Sequence, residues 1–315
     1  MYKNFKIGLL IPAFNEAENI GAVLKSIPDY VDHILVVNDG SVDRTVEIAQ
    51  GNGVQVVSHK SNKGVGATFK TGVKNMLDKD LDIMVNMDAD GQFKAEDIHR
   101  LLDPIIAEKA DFVTASRFIH QDYIPVMPRM KKWGNYRMAG LISWLTGQKF
   151  YDVSCGFRAY KKEVLYRMNL FGSFTYTQET FIDLAFKDVD IMEVPVEVLG
   201  QRAKGKSRVA SNLLRYAYQT SKIILKTFRD YKPFKLFGFV AGVFLLIGLI
   251  LLGIMFYHKV ATGSFTPYKW LGFAGGSAVL ISGISLLLGF ILDMFARMRH
   301  NQEEILFHLK NRHDK

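Results

Sequence analysis

Two carboxylates two residues apart close an apolar run: Asp88-Ala89-Asp90-Gly91-Gln92 follows Ile83-Met84-Val85-Asn86-Met87. Such a pair, beside a glycine that permits a sharp turn, brings hard oxygen ligands toward one divalent cation. Mg²⁺ or Mn²⁺ held there keeps positions open that diphosphate oxygens can fill. Taken alone, the triplet also reads as a polar turn that caps the next helix. A second acidic segment, Val37-Asn38-Asp39-Gly40-Ser41-Val42-Asp43, supplies Asp39, which is suited to accept hydrogen bonds from a ribose or a base. Ser41 or Asp43 suits the cap of the following helix, and for Asp43 capping is the better reading. Asn62-Lys63-Gly64-Val65-Gly66 is a glycine-rich turn before a helix, where backbone N–H groups and a lysine can approach a nucleotide. It is not a dinucleotide fingerprint, because Phe69 stands where the third glycine belongs, and no Walker A sequence occurs.

These residues share one place in a larger pattern. Up to about residue 118, short apolar runs alternate with helical periodicity, which predicts a parallel sheet covered by helices, an α/β fold. Strands are expected at Ile7 to Ile11, Ile34 to Val37, Val54 to Ser58, Ile83 to Met87 and Phe112 to Ala115. Helices are expected at Ala17 to Ser26, Thr45 to Asn52, Gly66 to Leu77 and Ala95 to Glu108. Polar residues follow the strands directly: Asn15 and Glu16, then Asp39, then Asp88 and Asp90, then Arg117. In an open α/β sheet the carboxyl ends of the strands form the ligand crevice, so separate segments build one wall of a site. Residues 119 to 200 are less regular, with helices expected at Arg137 to Leu145 and Gln178 to Phe186 and a strand at Met192 to Val198.

The apolar residues of the chain concentrate near its end. Leu236 to Tyr257 and Trp270 to Leu292 each run without a formal charge for the ~20 residues that a bilayer-spanning helix needs. Basic residues flank this pair: Lys222, Lys226, Arg229, Lys232 and Lys235 come before it, and Arg297, Arg299, Lys310 and Arg312 after it. The connecting loop offers only Lys259 and Lys269, so both ends are expected on the cytoplasmic side. Between about 208 and 232 basic and apolar residues fall on different helical faces, as in an amphipathic helix lying at a membrane surface. The apolar run near the N-terminus is too short for a secretory signal. One cysteine, Cys155, excludes an internal disulfide, and the eight histidines lack the close pairing of a zinc site. The net charge of +9 gathers beside the apolar spans, so anionic headgroups are the expected partner and nucleic acid is not. Gly238 with Gly242, and Gly272 with Gly276, form small-xxx-small pairs that could pack the hairpin on itself or build an oligomer.

Ile11-Pro12-Ala13-Phe14-Asn15-Glu16, then VNDGSVD, HKSNKGVGA, MDADGQ, SRF and SCGFR, in that order, closely resemble the family 2 glycosyltransferases of GT-A fold. Within that family the likeness is nearest to polyprenyl-phosphate sugar synthases, of the dolichyl-phosphate mannose synthase kind. It covers the chain to about residue 210, and C-terminal hairpins occur among the membrane-anchored members. The resemblance implies that Pro12, Asn15, Glu16 and Asp39 hold the nucleoside, with Asp88 and Ala89 adjoining it; Lys63, from the glycine-rich turn, is expected at the nucleotide as well. It implies Asp90 and Gln92, with Asp88, as metal ligands, and Arg117 as a phosphate contact. Which of Arg129, Lys131 and Lys132 holds the acceptor phosphate is left open, because the family's basic segment is only loosely matched there. Ser154, Gly156 and Arg158 fall in the acceptor-side loop, Gln178 and Glu179 where relatives carry a catalytic acidic pair, and Arg202, Lys204 and Lys206 in a basic loop that closes over both substrates.

The expected division is a catalytic domain at 1–207, an amphipathic helix at 208–232, two spans within 233–297 and a helical cytoplasmic tail at 298–315. The expected reaction is transfer of a hexose from a GDP- or UDP-sugar to a dolichyl or undecaprenyl phosphate, with inversion and with Mg²⁺ or Mn²⁺. Asp90, Arg117 and Glu179 are the residues expected at the chemistry. A processive synthase is disfavoured, since no Gln-x-x-Arg-Trp sequence occurs and two spans are too few for a channel. A transferase acting on a hydroxyl of a lipid-linked glycan, and a nucleotide-sugar binding protein without catalysis, are the remaining alternatives.

Overall fold

Every residue of β1 (Ile7–Ala13) is buried, which for a strand requires cover on both faces. Because side chains alternate across a strand, Ile7, Leu9, Ile11 and Ala13 join one large core. There they meet Ile20, Val23 and Leu24 of α1 (Ile20–Lys25) and Ile98, Leu101, Leu102 and Ile105 of α4 (Ile98–Ile106). Leu10 packs on the other face against α3 (Val65–Leu77), where a Cβ on Gly72 would lie 2.3 Å from Leu10 Cδ1. The fold is therefore a sheet between helical layers.

This computed structural model describes residues 1–169, 176–199, 221–222, 225–226 and 229–312. Its sheet has the order β3-β2-β1-β4-β6-β5-β7. The other strands are β2 (His33–Asn38), β3 (Gln55–Ser58), β4 (Ile83–Asn86), β5 (Phe112–Ser116), β6 (Arg158–Lys161) and β7 (Ile191–Pro195). β1 pairs in parallel with β2 and β4, β2 with β3, and β5 with β7. Chain order runs outward from β1 in one direction to β3 and resumes at β4 on the other side. The polar residues after β1 and β4 therefore flank the point where strand order reverses, the usual ligand crevice of such sheets.

β6 is the exception and was not among the expected strands. It lies antiparallel between β4 and β5, with Arg158 opposite Asn86 on one side and Thr114 on the other. Four residues, Arg-Ala-Tyr-Lys, are too few to display a period of two. Being antiparallel, β6 begins where β4 and β5 end, which delivers the preceding loop, residues 152–157, to the crevice. A short α6 (Lys162–Arg167) follows it and was also not expected. α5 (Arg129–Thr146) starts eight residues before the expected Arg137, because its first turns, through Lys132, contain no buried side chain to reveal the period. α2 (Thr45–Gly51) and α7 (Thr177–Ala185) fall at the expected places.

The chain divides into two compact units, Met1–Ile224 with Phe307–Lys315, and Leu225–Leu306. In the second, α8 (Pro233–Thr262) and the first part of α9 (Lys269–Arg312) are long and apolar enough to cross a membrane. Only 11% and 22% of their most apolar windows are buried, which distinguishes them from core helices of a soluble protein. The helices approach where Gly248 meets Gly275: a Cβ on either would lie 3.0 Å from the other's carbonyl oxygen. Gly272 packs against Met255, and Ser282 Oγ donates to the Ala241 carbonyl at 2.8 Å. Gly238, Gly242 and Gly276 have open space beside them, so of the two expected uses of the small-residue pairs, packing the hairpin on itself is corrected at those glycines. α9 continues without a break beyond the expected span end. Its last residues count with the first unit, where the Arg167 guanidinium lies 4.8 Å from the Phe307 ring. Most of the segment expected to be an amphipathic helix lies outside the described residues.

Candidate active site

The Asp39 carboxylate stands at the end of β2, 4% exposed, and is already well partnered. Oδ1 accepts from Lys63 N at 2.9 Å and from His59 Nδ1 at 2.7 Å, and Oδ2 accepts from Gly64 N at 2.8 Å. Gly40 makes this possible. Its φ of +73° suits glycine, and a Cβ there would lie 2.7 Å from the Ser61 backbone, so only glycine lets the 61–64 turn close on Asp39. The glycine-rich turn was expected to offer its N–H groups to a nucleotide. Instead the Lys63 and Gly64 amides are used on Asp39, which corrects that expectation.

Asn15 and Glu16 lock the β1 end to the β2 end. Asn15 N donates to Ser41 Oγ and Val42 N donates to Asn15 Oδ1, each at 2.8 Å, while Glu16 N donates to Thr45 Oγ1 at 2.8 Å. Pro12 and Ala13 are buried beneath them. Asp43 accepts from Ala17 N and from both the amide and the hydroxyl of Thr45, in keeping with its reading as a residue that holds the start of a helix. Burial acts to raise its pKa, but these hydrogen bonds prevail and hold it below the ordinary carboxylate value.

At the β4 end, Asp88 lies against Gly156: a Cβ there would be 2.9 Å from Asp88 Oδ2. Asp90 is buried and accepts from Gln92 N at 3.1 Å. Gln92 is tied to the segment after β7 in both directions, Nε2 donating to the Leu199 carbonyl at 2.8 Å and Leu199 N to the Gln92 carbonyl at 3.0 Å. This turns the amide oxygen of the Gln92 side chain away from Leu199. Among the described residues no three His, Cys, Asp or Glu side chains converge. A cation held by Asp88, Asp90 and the Gln92 oxygen would complete its shell from water and diphosphate. That all-oxygen donor set fits Mg²⁺ or Mn²⁺. Tyr176 backs the turn: its hydroxyl accepts from Asn86 Nδ2 at 2.7 Å. Burial first, then the Asp88 charge, raises its pKa well above that of free tyrosine.

Arg117 follows β5 and is held by the loop that β6 brings. Its Nε donates to Asp152 Oδ2 at 2.6 Å, and its Nη2 to Asp152 Oδ1 at 2.9 Å and to Ser154 Oγ at 2.7 Å. Ser154 Oγ in turn lies 3.1 Å from Asn135 Oδ1 of α5. Burial opposes ionisation of Asp152, yet the Arg117 charge and hydrogen bonds hold its pKa below the ordinary value. Glu193 accepts from the Tyr151 and Asp152 amides at 2.7 Å each, and burial raises its pKa. Of the three basic residues at the start of α5, Lys131 and Lys132 lie one turn before Asn135 and share its face. Arg129, six residues before Asn135, is turned about 120° away. Gln178 and Glu179 are buried in the first turn of α7.

Arg158 does not fit the acceptor role expected of it. It is wholly buried, its Nε donates to the Cys155 carbonyl at 2.7 Å, and the rings of Phe112, Tyr176 and Phe181 surround the guanidinium at 5.0–5.6 Å. As the first residue of β6 its side chain turns into the sheet core, which corrects the expectation. Arg202, Lys204 and Lys206 lie outside the described residues. Asp152, Asn135, His59 and Tyr176 were not singled out from the sequence. Only Asp152, two residues before Ser154 as in a polar turn, left a local signal.

The chain matches the family described as Glycosyl transferase family 2 over residues 9–168. It is 31% identical over 214 residues to UDP-N-acetylglucosamine–dolichyl-phosphate N-acetylglucosaminyltransferase of Methanococcus voltae, covering 61% of this chain and 85% of that protein. It is 30% identical over 223 residues to polyprenol monophosphomannose synthase of Mycolicibacterium smegmatis, covering 66% and 83%. In structure it is similar to glucosyl-3-phosphoglycerate synthase of Mycobacterium tuberculosis in complex with Mn²⁺, uridine diphosphate and phosphoglyceric acid. That likeness has a TM-score of 0.58 at 21% identity, covers 71% of this chain and 79% of the other, and shows a shared fold. With the family match spanning half the chain, and with Asp39, Asp88, Asp90 and Arg117 assembled on one rim of the sheet, the chain belongs to glycosyl transferase family 2 and is a glycosyltransferase.

Proposed function

We propose that this glycosyltransferase moves a hexose from a nucleotide diphosphate sugar onto the phosphate of a polyprenyl lipid, with inversion at the anomeric carbon and with a divalent cation. The observation that carries the reading is the single loop, 152–157, that touches both halves of the crevice: Gly156 packs on the acidic β4 end and Ser154 on the cationic β5 end. The acidic end suits a cation and diphosphate, and the cationic end suits a second anion. Relatives named for dolichyl-phosphate and polyprenol substrates, and two helices apolar enough for a bilayer, support a lipid as the carrier of that anion.

A bound cation would neutralise the departing diphosphate. Asp88, Asp90 and Gln92 are the residues that would hold it, and Asp39, Asn15 and Glu16 frame the nucleoside end. Arg117, kept in one orientation by Asp152, faces charge that develops between the substrates, aided by Lys131 or Lys132. A phosphate monoester has a second pKa of about 6, so the incoming oxygen is largely ionised at neutral pH and needs no strong base. On this account Glu179 orients the donor sugar. The apolar helices anchor the enzyme with its catalytic unit and both ends on the cytoplasmic side, as the basic flanks favour. A radiolabelled screen of UDP- and GDP-sugars against polyprenyl phosphate, with Mg²⁺, Mn²⁺ or chelator, tests the reading. Asp90→Ala should lower kcat by at least about a hundredfold with the fold retained, whereas undiminished turnover in chelator would remove the need for a cation.

A further inference from the structure

Asp39 accepts three hydrogen bonds from the protein itself: two on Oδ1, from His59 Nδ1 and Lys63 N, and one on Oδ2, from Gly64 N. A carboxylate has about four acceptor positions, which leaves one, on Oδ2. The direction of that last position depends on what holds the first three. Two are amides of a turn pinned by Gly40. The third is an imidazole, 8% exposed, whose Nε2 lies 2.9 Å from Thr71 Oγ1. A proton on Nδ1, donated to the carboxylate, leaves Nε2 to accept the Thr71 hydroxyl proton, so one tautomer suits both neighbours. Thr71 belongs to α3, which is fixed on β1 through Gly72 and Leu10. The relay therefore ties the acceptor at the end of β2 to a helix locked on the sheet.

We propose that His59 and Thr71 are positioning residues for the donor: they fix the Asp39 carboxylate so that its remaining acceptor position meets an N–H or O–H of the nucleoside. This rests on the reading of the crevice as a nucleotide-sugar site. Neither residue touches the reacting atoms, so their loss weakens nucleotide binding and leaves the chemical step intact.

The test is calorimetric titration of the full-length protein in detergent with UDP and with GDP in the presence of Mn²⁺, paired with donor KM and kcat. For whichever nucleotide the wild type binds, His59→Ala should raise Kd and donor KM about tenfold, the scale of a hydrogen bond to a charged group, with kcat at saturating donor unchanged. His59→Asn, whose amide N–H can replace Nδ1–H, should recover most of the loss. Thr71→Val, close in volume, should raise Kd about threefold, and it decides the matter if His59→Ala does not fold. Wild-type Kd in His59→Ala or in Thr71→Val overturns the proposal, as does a fall in kcat at unchanged Kd. A wild-type protein that binds neither UDP nor GDP overturns the underlying reading of the site instead.

Discussion

Gly156 is a residue whose value lies in having no side chain. Its φ lies outside the left-handed region, so alanine there meets no backbone strain, only the Asp88 oxygens at 2.9 and 3.2 Å. Gly156→Ala should displace a prospective metal ligand and lower kcat about a hundredfold, the scale of an ångström's misplacement, while thermal unfolding stays cooperative. Asp152 acts at the same scale by fixing Arg117. Asp152→Asn would take the buried Asp152 charge away from the guanidinium and should cost about 3–5 kcal/mol, read from thermal or denaturant unfolding. The pH dependence follows from two shifts of opposite sign. The folded-state pKa of Asp152 is depressed, so its stabilisation is present above the ordinary value of about 3.9 and is lost as pH falls through the lower folded value. That of Glu193 is raised, so its contribution is present at acid pH and is lost as pH rises through the raised value. Stability of the wild type should therefore pass through a maximum at mildly acid pH, and in Asp152→Asn the drop on the acid side should be smaller, the remainder belonging to other depressed carboxylates such as Asp43. Asp39, Asp88, Asp90 and Arg117 were legible because each directly follows an apolar run. Asp152, Asn135 and Tyr176 come from distant segments with no periodic neighbour to mark them, and Arg158 was misread because a loop motif does not reveal that its last residue starts a strand.

Among the elements, α3 is the hinge between fold and site, since it packs on β1 through Gly72 and carries Thr71 beside His59. Gly72→Ala gains helix propensity of about 1 kcal/mol. Against this, the new methyl would lie 2.3, 2.5 and 2.9 Å from Cδ1, Cδ2 and Cγ of the fully buried Leu10, so more than the tip of that side chain would have to shift. Overpacking of about 1–3 kcal/mol should win, and a lowered unfolding midpoint would be the sign of it. The parallel part of the sheet was legible from the alternation of apolar runs with helical periodicity. β6 was not, because four residues flanked by a glycine-containing loop carry no pattern, and its antiparallel sense is set by pairing with β4 and β5 rather than by its own residues. Yet β6 shapes the candidate site, for its antiparallel sense brings residues 152–157 to the rim where Asp88 and Arg117 stand.

At the scale of the whole molecule, a catalytic unit shares its chain with two helices that expose apolar surface over most of their length. α9, at 44 residues, is about 66 Å long, against a hydrocarbon core of about 30 Å, so it extends well past any span it makes. Length and apolar composition made these two helices legible. The meeting of Gly248 and Gly275 was not, since glycines at helical spacing recur along both helices and only packing selects among them. In the proposed reaction an oxygen of the lipid phosphate attacks the anomeric carbon of the donor sugar from the face opposite the leaving diphosphate. The most direct test is the linkage of the product formed from an α-linked nucleotide sugar and polyprenyl phosphate, read by mass spectrometry and phosphorus-coupled proton NMR. The expected product is a β-linked hexosyl phosphodiester in the lipid fraction. An α-linked product, or a sugar joined to a hydroxyl with the lipid phosphate untouched, would contradict it.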